Sequence, residues 1–140
     1  MMEYILRKEF QFEAAHFLPL VEEGHKCKNV HGHSYRVTIE LSSEKLDKGM
    51  VVDYSDISQC INGPIIHVLD HQTLNDFIEN PTAENICYWI ANIFKHDFRM
   101  NFYRPEHYWF KGRDRRITLR AVEVSETAKT NCRLEINEIL

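Results

Sequence analysis

Two stretches of alternating apolar and polar residues constrain this chain most, because alternation is the pattern of a β-strand with one buried face. The first stretch ends at His16, and the second begins with His31 and His33. Each histidine falls on the apolar side of its strand, together with Phe10, Phe12 and Ala14 in the first and Tyr35, Val37, Ile39 and Leu41 in the second. Two strands therefore each deliver histidine to one end of a buried face.

A metal site is the chemistry that this placement predicts. Neutral imidazole is a good zinc ligand, and a site of three histidines leaves one coordination position open. An isolated H-x-H pair is weak evidence, since such histidines are commonly ordinary core or surface groups. The matching histidine on the other strand, and a thiol in the connecting loop, favour the metal interpretation. We therefore predict that His16, His31 and His33 bind Zn²⁺.

Size and composition indicate one ordinary globular domain over residues 1–140. Hydrophobic residues make up 44% and charged residues 27% of the chain, and the formal charge is −4. This charge predicts no general affinity for nucleic acid or for a membrane surface. The sequence contains no apolar run of about 20 residues and no signal peptide at its start, so we expect a cytoplasmic protein.

The four cysteines contain no C-x-x-C pair, which argues against a disulfide framework or a thiolate zinc cluster. Cys60, Cys87 and Cys132 lie in apolar contexts and are expected to be small buried side chains. Cys27 differs, because it lies between two lysines in a polar loop, where the thiolate is favoured. An ordinary loop cysteine remains an equal alternative for Cys27 taken alone.

The order of elements predicts an α+β fold. Strands over 4–16 and 31–42 precede two helices, and a hairpin of 117–126 and 132–138 follows. Asp53 and Thr82 are candidate N-caps of the helices, and Asn62-Gly63-Pro64 should interrupt the first helix. This order favours an antiparallel sheet with the helices on one face.

Residues 97–116 interleave aromatic with basic side chains. The favoured interpretation is an extended loop or hairpin that packs its own aromatics. A subunit contact, a lid over an anionic substrate and, least favoured, single-stranded nucleic acid binding remain alternatives.

Asp70-His71 forms a second candidate site, because a carboxylate can orient an imidazole and raise its basicity. Neighbouring residues in a helix do not face each other, so the pair would act only at a helix end. Taken alone, such a dipeptide is usually without function.

Several motifs together resemble the 6-pyruvoyltetrahydropterin synthase / 6-carboxytetrahydropterin synthase family. In chain order they are Phe12-Glu13-Ala14-Ala15-His16, Glu23-Gly24-His25-Lys26-Cys27 followed by His31-Gly32-His33, Leu69-Asp70-His71 with Leu74-Asn75, Pro81-Thr82-Ala83-Glu84-Asn85, and Val124-Ser125-Glu126-Thr127. The resemblance runs nearly end to end apart from 97–116. The three residues between Cys27 and His31 resemble the carboxytetrahydropterin branch, which belongs to queuosine (7-deazaguanine) biosynthesis.

The resemblance implies a tunnelling fold: a four-stranded antiparallel sheet with two helices on one face, joined with other copies into a barrel and a homohexamer. It implies a lyase that converts 7,8-dihydroneopterin triphosphate to 6-carboxytetrahydropterin, with release of acetaldehyde and triphosphate. By the same resemblance, zinc would bind His16, His31 and His33. Cys27 would abstract protons with Asp70 and His71 as the partner pair, and Glu126, Glu84 and Thr82 would bind substrate.

Three alternatives remain at this stage. A 6-pyruvoyltetrahydropterin synthase would share the substrate but release a pyruvoyl pterin. A non-catalytic pterin- or metal-binding module would not need Cys27, Asp70 or His71. A zinc hydrolase would need a carboxylate base beside the metal, and the sequence contains no H-E-x-x-H motif.

Overall fold

A five-stranded sheet forms the frame of the molecule in this computed structural model, which describes residues 2–102 and 116–140. The strands, in the order β3-β1-β2-β4-β5 across the sheet, are β1 Tyr4–His16, β2 His31–Ser43, β3 Gln72–Thr73, β4 Thr118–Ser125 and β5 Cys132–Ile139. The α+β class is confirmed, but the expectation of four antiparallel strands is wrong. The fifth strand, β3, is two residues long and pairs parallel to the end of β1. It carries no alternating pattern, which explains why the sequence did not reveal it.

The long pairing of β1 with β2 sets the register of the sheet. Tyr4 lies opposite Ser43 at one end, and His16 lies opposite His31 at the other. Alternation places Phe10, Phe12 and the other apolar residues of β1 on one buried face, while their neighbours stay exposed. A slip of one residue would move this whole apolar set to the solvent face, so burial specifies the register.

The helices α1 (Tyr54–Ile61), α2 (His67–Leu69) and α3 (Ala83–Phe102) supply the other half of the core. Buried residues of α1 and α3 form one cluster with the apolar face of the strands, so the helices cover one face of the sheet as expected. Asp53 caps α1 by accepting a hydrogen bond from the Ser55 amide at 2.8 Å. The expected interruption is a π-helical turn, Asn62–Ile66, which joins α1 to α2.

The C-terminal half of α3 corrects one sequence interpretation. The helix continues to Phe102, because Phe94 and Phe98 repeat at helical spacing and are fully buried against the sheet. Residues 97–102 therefore belong to this helix rather than to a separate insertion. The remainder of that segment, 103–115, lies outside the described residues, and so do the expectations for its aromatic and basic side chains.

The opposite face of the sheet carries a network of ion pairs across four strands. Glu40 of β2 accepts hydrogen bonds from Arg7 of β1 at 2.5 Å and from Arg133 of β5 at 2.8 Å. The same two arginines bind Glu123 of β4. The Glu40 side chain is only 7% exposed, so its charge is compensated by hydrogen-bonded partners rather than by water.

No helix in residues 2–102 and 116–140 combines the length and the apolar character needed to cross a membrane.

Replacing Glu40 with Gln should lower the free energy of unfolding by about 1–3 kcal/mol at pH 7, because Arg7 and Arg133 each lose one of their charged partners. Hydrogen bonds from Arg133 and Arg7 hold the pKa of Glu40 below its usual range. A carboxyl with a lowered folded-state pKa stabilises the protein above its ordinary pKa of about 4.3, and this contribution is lost as the pH falls through the lowered value. The difference between wild type and E40Q should therefore shrink in acid.

Urea unfolding at pH 7 and at about pH 3 measures this effect. Glu9→Gln is the matched control, since Glu9 is an exposed carboxylate on β1 and should change stability by less than about 0.5 kcal/mol. An E40Q variant as stable as E9Q at pH 7 would contradict the interpretation.

Candidate functional site

The imidazoles of His16, His31 and His33 converge at one end of the β1–β2 pair. Their ring nitrogens all lie within 4.8 Å of one another, and the Nε2 atoms of His16 and His31 are 3.0 Å apart. The sheet produces this cluster directly, because His16 and His31 are cross-strand partners and His33 lies two residues further on the same face. The structure thus brings together the three residues that the alternation singled out.

Backbone carbonyls orient two of the rings. His16 donates from Nδ1 to the Pro81 carbonyl at 2.8 Å, and His31 donates from Nδ1 to the Asn29 carbonyl at 2.8 Å. In each ring the Nδ1 proton leaves Nε2 as an acceptor with its lone pair directed into the cluster. Histidines that bind metals typically donate their other ring N–H to a carbonyl or carboxylate in this way.

The environment favours a neutral His16 and an added cation. Burial lowers the pKa of His16, which is 1% exposed, and the hydrogen bond to Pro81 opposes this effect only in part. In the part of the chain that the structure describes, the buried Nε2 of His33 has no hydrogen-bond partner. Lone pairs that face each other repel unless a cation lies between them. The donor set therefore fits Zn²⁺, and the three histidines form a candidate metal site.

Tyr35 forms the floor of this site, a role that the sequence analysis did not assign. Its ring is fully buried, stacks on Phe12 at 5.0 Å and makes edge contacts with His16 and His33. Burial raises the pKa of its hydroxyl, so the phenol stays protonated. Its position two residues after His33 on the same strand face was the available signal.

Glu126 lies beside the imidazoles, directly after the end of β4. Its carboxylate oxygens are 4.0 Å from Nε2 of His16 and 3.9 Å from Nε2 of His33. The side chain is 26% exposed, so it faces both the cluster and solvent. The sequence predicted a substrate-binding role for this residue, but not a position next to the three imidazoles.

Asp70 and His71 form a hydrogen-bonded pair just past α2. Asp70 Oδ2 is 2.9 Å from Nδ1 of His71, and its other oxygen accepts the Glu13 amide proton at 2.8 Å. These two hydrogen bonds, the backbone one first, lower the pKa of Asp70. His71 has a φ of 58°, in the left-handed region, so the backbone turns here and lets adjacent side chains meet. The aspartate thereby leaves Nε2 of the exposed imidazole free to take or give a proton.

A cavity of about 570 Å³ is lined by His33 of the imidazole cluster and by His71. Glu13, Ser34 and Asp76 contribute polar walls. Ser34 donates to the Glu13 carboxylate at 2.7 Å, which holds that wall in place. A small polar molecule in this cavity would lie beside His33 and His71.

Asn75 explains why its motif accompanies the histidines. Its side-chain oxygen accepts the Phe17 amide proton at 3.0 Å, and its nitrogen donates to the Phe17 carbonyl at 2.8 Å. This amide clamps the residue that follows His16 onto the short turn that follows His71. The Leu74-Asn75 motif was visible in the sequence, but this role was not.

The remaining predicted residues are Cys27, Thr82 and Glu84, which lie on other segments of the chain. Cys27 is a half-buried free thiol in the 3₁₀ turn Lys26–Lys28, and its carbonyl accepts from the Leu18 amide at 2.8 Å. Thr82 caps α3 by accepting the Asn85 amide proton at 3.2 Å, and Glu84 is exposed in the first turn. In the described part of the chain, the set of mutually close ligand atoms contains His16, His31 and His33 without Cys27.

Removal of the imidazole of His31 or of His33 should impair metal binding. We expect His31→Ala and His33→Ala to weaken zinc affinity by at least about 100-fold, because the metal loses a ligand and not merely a group that hydrogen-bonds to a ligand. His96→Ala is the control, since His96 is exposed on α3 far along the chain from the cluster. Zinc content after dialysis and competition with a chromogenic chelator measure the affinities. Equal zinc affinity in all three variants would show that the metal binds elsewhere.

The chain is similar to known proteins over most of its length. Residues 5–137 match the family model described as 6-pyruvoyl tetrahydropterin synthase. Proteins named 6-carboxy-5,6,7,8-tetrahydropterin synthase are 43% identical over 94 residues in Synechocystis (62% of this chain, 71% of that protein) and 30% identical over 124 residues in Haemophilus influenzae (69% and 85%). The structure of Caenorhabditis elegans 6-pyruvoyl tetrahydropterin synthase superposes with a TM-score of 0.75 at 22% identity, covering 97% of each chain. This protein therefore belongs to the 6-pyruvoyl tetrahydropterin synthase family.

Proposed function

We propose that this protein is a zinc-dependent lyase that converts 7,8-dihydroneopterin triphosphate to 6-carboxy-5,6,7,8-tetrahydropterin, releasing acetaldehyde and triphosphate. The observation that carries the proposal is an imidazole cluster fit for zinc, together with an oriented Asp70-His71 pair held against the same end of β1. The carboxytetrahydropterin product, in queuosine biosynthesis, is favoured by the names of the relatives and by the three-residue spacing between Cys27 and His31.

The reaction requires protons to move along the hydroxylated side chain of the substrate before a carbon–carbon bond breaks. Zinc on His16, His31 and His33 would supply a Lewis acid that acidifies neighbouring hydroxyl groups. His71 exchanges a proton through Nε2, while Asp70 stabilises the imidazolium form. Cys27 acts as the second base, from the 3₁₀ turn Lys26–Lys28 in which two lysines flank it.

Substrate binding falls to residues around this centre. In our proposal the Glu126 carboxylate accepts two hydrogen bonds from the planar N–C–N edge of the pterin, as carboxylates do from arginine. Glu84 and Thr82 contribute from the start of α3, where helical N–H groups favour an anionic group. The Thr82 hydroxyl already caps the helix, so its contribution to substrate would come in addition to that bond.

We further propose a homohexamer built from barrels in which the sheets of neighbouring copies pair. The order of strands leaves β5 at one edge, and β3 covers only the end of β1 at the other. Unpaired edges of this length are templates for strand addition, and pairing them removes exposed N–H and C=O groups. All four cysteines are free, which is typical of a reducing compartment, so we place the reaction in the cytoplasm.

Incubation of zinc-loaded protein with 7,8-dihydroneopterin triphosphate tests the activity. We expect mass spectrometry to identify 6-carboxytetrahydropterin together with acetaldehyde. A pyruvoyl pterin without acetaldehyde would instead assign the protein to 6-pyruvoyltetrahydropterin synthases. Binding of the pterin without turnover would indicate a non-catalytic module.

His71→Asn should lower kcat by about 10²–10⁴-fold, since it removes a proton-transfer group. Cys27→Ala should cause a loss of the same order, while zinc content in both variants stays at the wild-type level. His67→Asn is the matched control, because His67 is exposed in α2 just before the pair. Steady-state kinetics with metal analysis measure these effects, and a fully active H71N or C27A enzyme would contradict the assigned role.

A further inference from the structure

Glu126 has two roles available that exclude each other. The proposed function assigns its carboxylate to the pterin ring, yet the structure places both carboxylate oxygens beside the imidazole cluster. We propose that Glu126 is a displaceable internal ligand, which occupies the fourth position of the metal at rest and leaves it when the pterin ring binds. This inference rests on the proposed function for its metal and its substrate class.

The positions of the two oxygens carry this inference. Ligand atoms around a tetrahedral zinc ion lie about 3.4 Å apart, given metal–ligand bonds of about 2.1 Å. The observed separations from Glu126 are 4.0 Å to His16 and 3.9 Å to His33, one oxygen toward each ring. In the described part of the chain, the set of ligand atoms that all lie within 4.8 Å of one another contains the three imidazoles without Glu126. The carboxylate spans two rings of the cluster, so one of its oxygens reaches the fourth position of the metal by a rotation of the flexible side chain.

The charges of the site favour the same assignment. Three neutral imidazoles leave the two positive charges of Zn²⁺ uncompensated in a partly buried site, where uncompensated charge is costly. The carboxylate is the negative group that the cluster itself faces, and it already acts electrostatically on the His16 ring. Carboxylate oxygen is a regular zinc ligand alongside imidazole nitrogen.

The Glu126 carboxylate cannot bind the metal and the pterin ring at the same time. A planar N–C–N edge occupies both oxygens of a carboxylate through parallel hydrogen bonds. The same two oxygens cannot at that moment face His16 and His33. Binding of the ring therefore frees the fourth metal position for hydroxyl oxygens of the substrate side chain. Coupling between two ligands is reciprocal, so the pterin ring weakens metal binding by the same factor by which the metal weakens binding of the ring.

Cobalt substitution tests the inference without a turnover assay. The visible spectrum of Co²⁺ reports its ligand set, so E126Q should differ from wild type in the absence of any substrate. Its Co²⁺ and Zn²⁺ affinities, from chelator competition, should be at least about 10-fold weaker, because a neutral amide replaces a charged metal ligand. Glu9→Gln is the control, because Glu9 is an exposed acid on β1 outside the cluster, and it should retain the wild-type spectrum.

A second measurement uses 7,8-dihydropterin, which has the ring but no hydroxylated side chain. Saturating wild-type Co²⁺ protein with this probe should shift the spectrum, because the carboxylate leaves the metal while no substrate hydroxyl replaces it. Ring binding is verified separately by fluorescence. Glu126→Asp keeps the charge on a shorter chain and should give an intermediate spectrum, which covers the case of an E126Q variant that fails to fold.

An E126Q or E126D spectrum and affinity equal to wild type would overturn the inference, as would a bound ring that leaves the wild-type spectrum unchanged. Both outcomes are measured without turnover, so they can be distinguished from a failure of the proposed function. If that function failed, no carboxylated pterin would form although the spectral changes were present.

Discussion

The cross-strand contact between His16 and His31 is the interaction on which the site depends. Two Nε2 atoms that both act as acceptors lie 3.0 Å apart, because the β1–β2 register places these residues opposite each other. Such a contact is unfavourable until a cation or proton lies between the rings. The apolar burial of the two strands supplies the stability that holds this arrangement, so part of the folding energy of the sheet is spent on preorganising a metal site.

The end of β1 is also where separate parts of the chain are joined. The backbone of Glu13 binds both residues of the Asp70-His71 pair, Asn75 clamps Phe17, and the Pro81 carbonyl orients His16. Each contact is a hydrogen bond between a site residue and the backbone of a distant segment. The Asp70-His71 pair and the three imidazoles are therefore positioned against one strand end, which accounts for the presence of these short motifs along the chain.

The two faces of the sheet solve different physical problems. One face packs against α1 and α3 and provides the apolar core, with the imidazoles at its end. The other face carries the charged network centred on Glu40, whose carboxylate is nearly excluded from water yet satisfied by two arginines. Compensated charge on this face tolerates burial by a neighbouring copy better than unpaired charge would, which is compatible with the assembly that we propose.

The sequence by itself determined the elements whose pattern is local. Alternation predicted β1 and β2, helical spacing and capping residues predicted α1 and α3, and the shared strand face predicted the three imidazoles as one group. Only the tertiary structure decided the two-residue strand β3, the extension of α3 to Phe102, the clamp by Asn75, the floor made by Tyr35 and the position of Glu126 beside the rings. These features depend on contacts between residues far apart in the chain, and such contacts leave no periodic signal in the sequence.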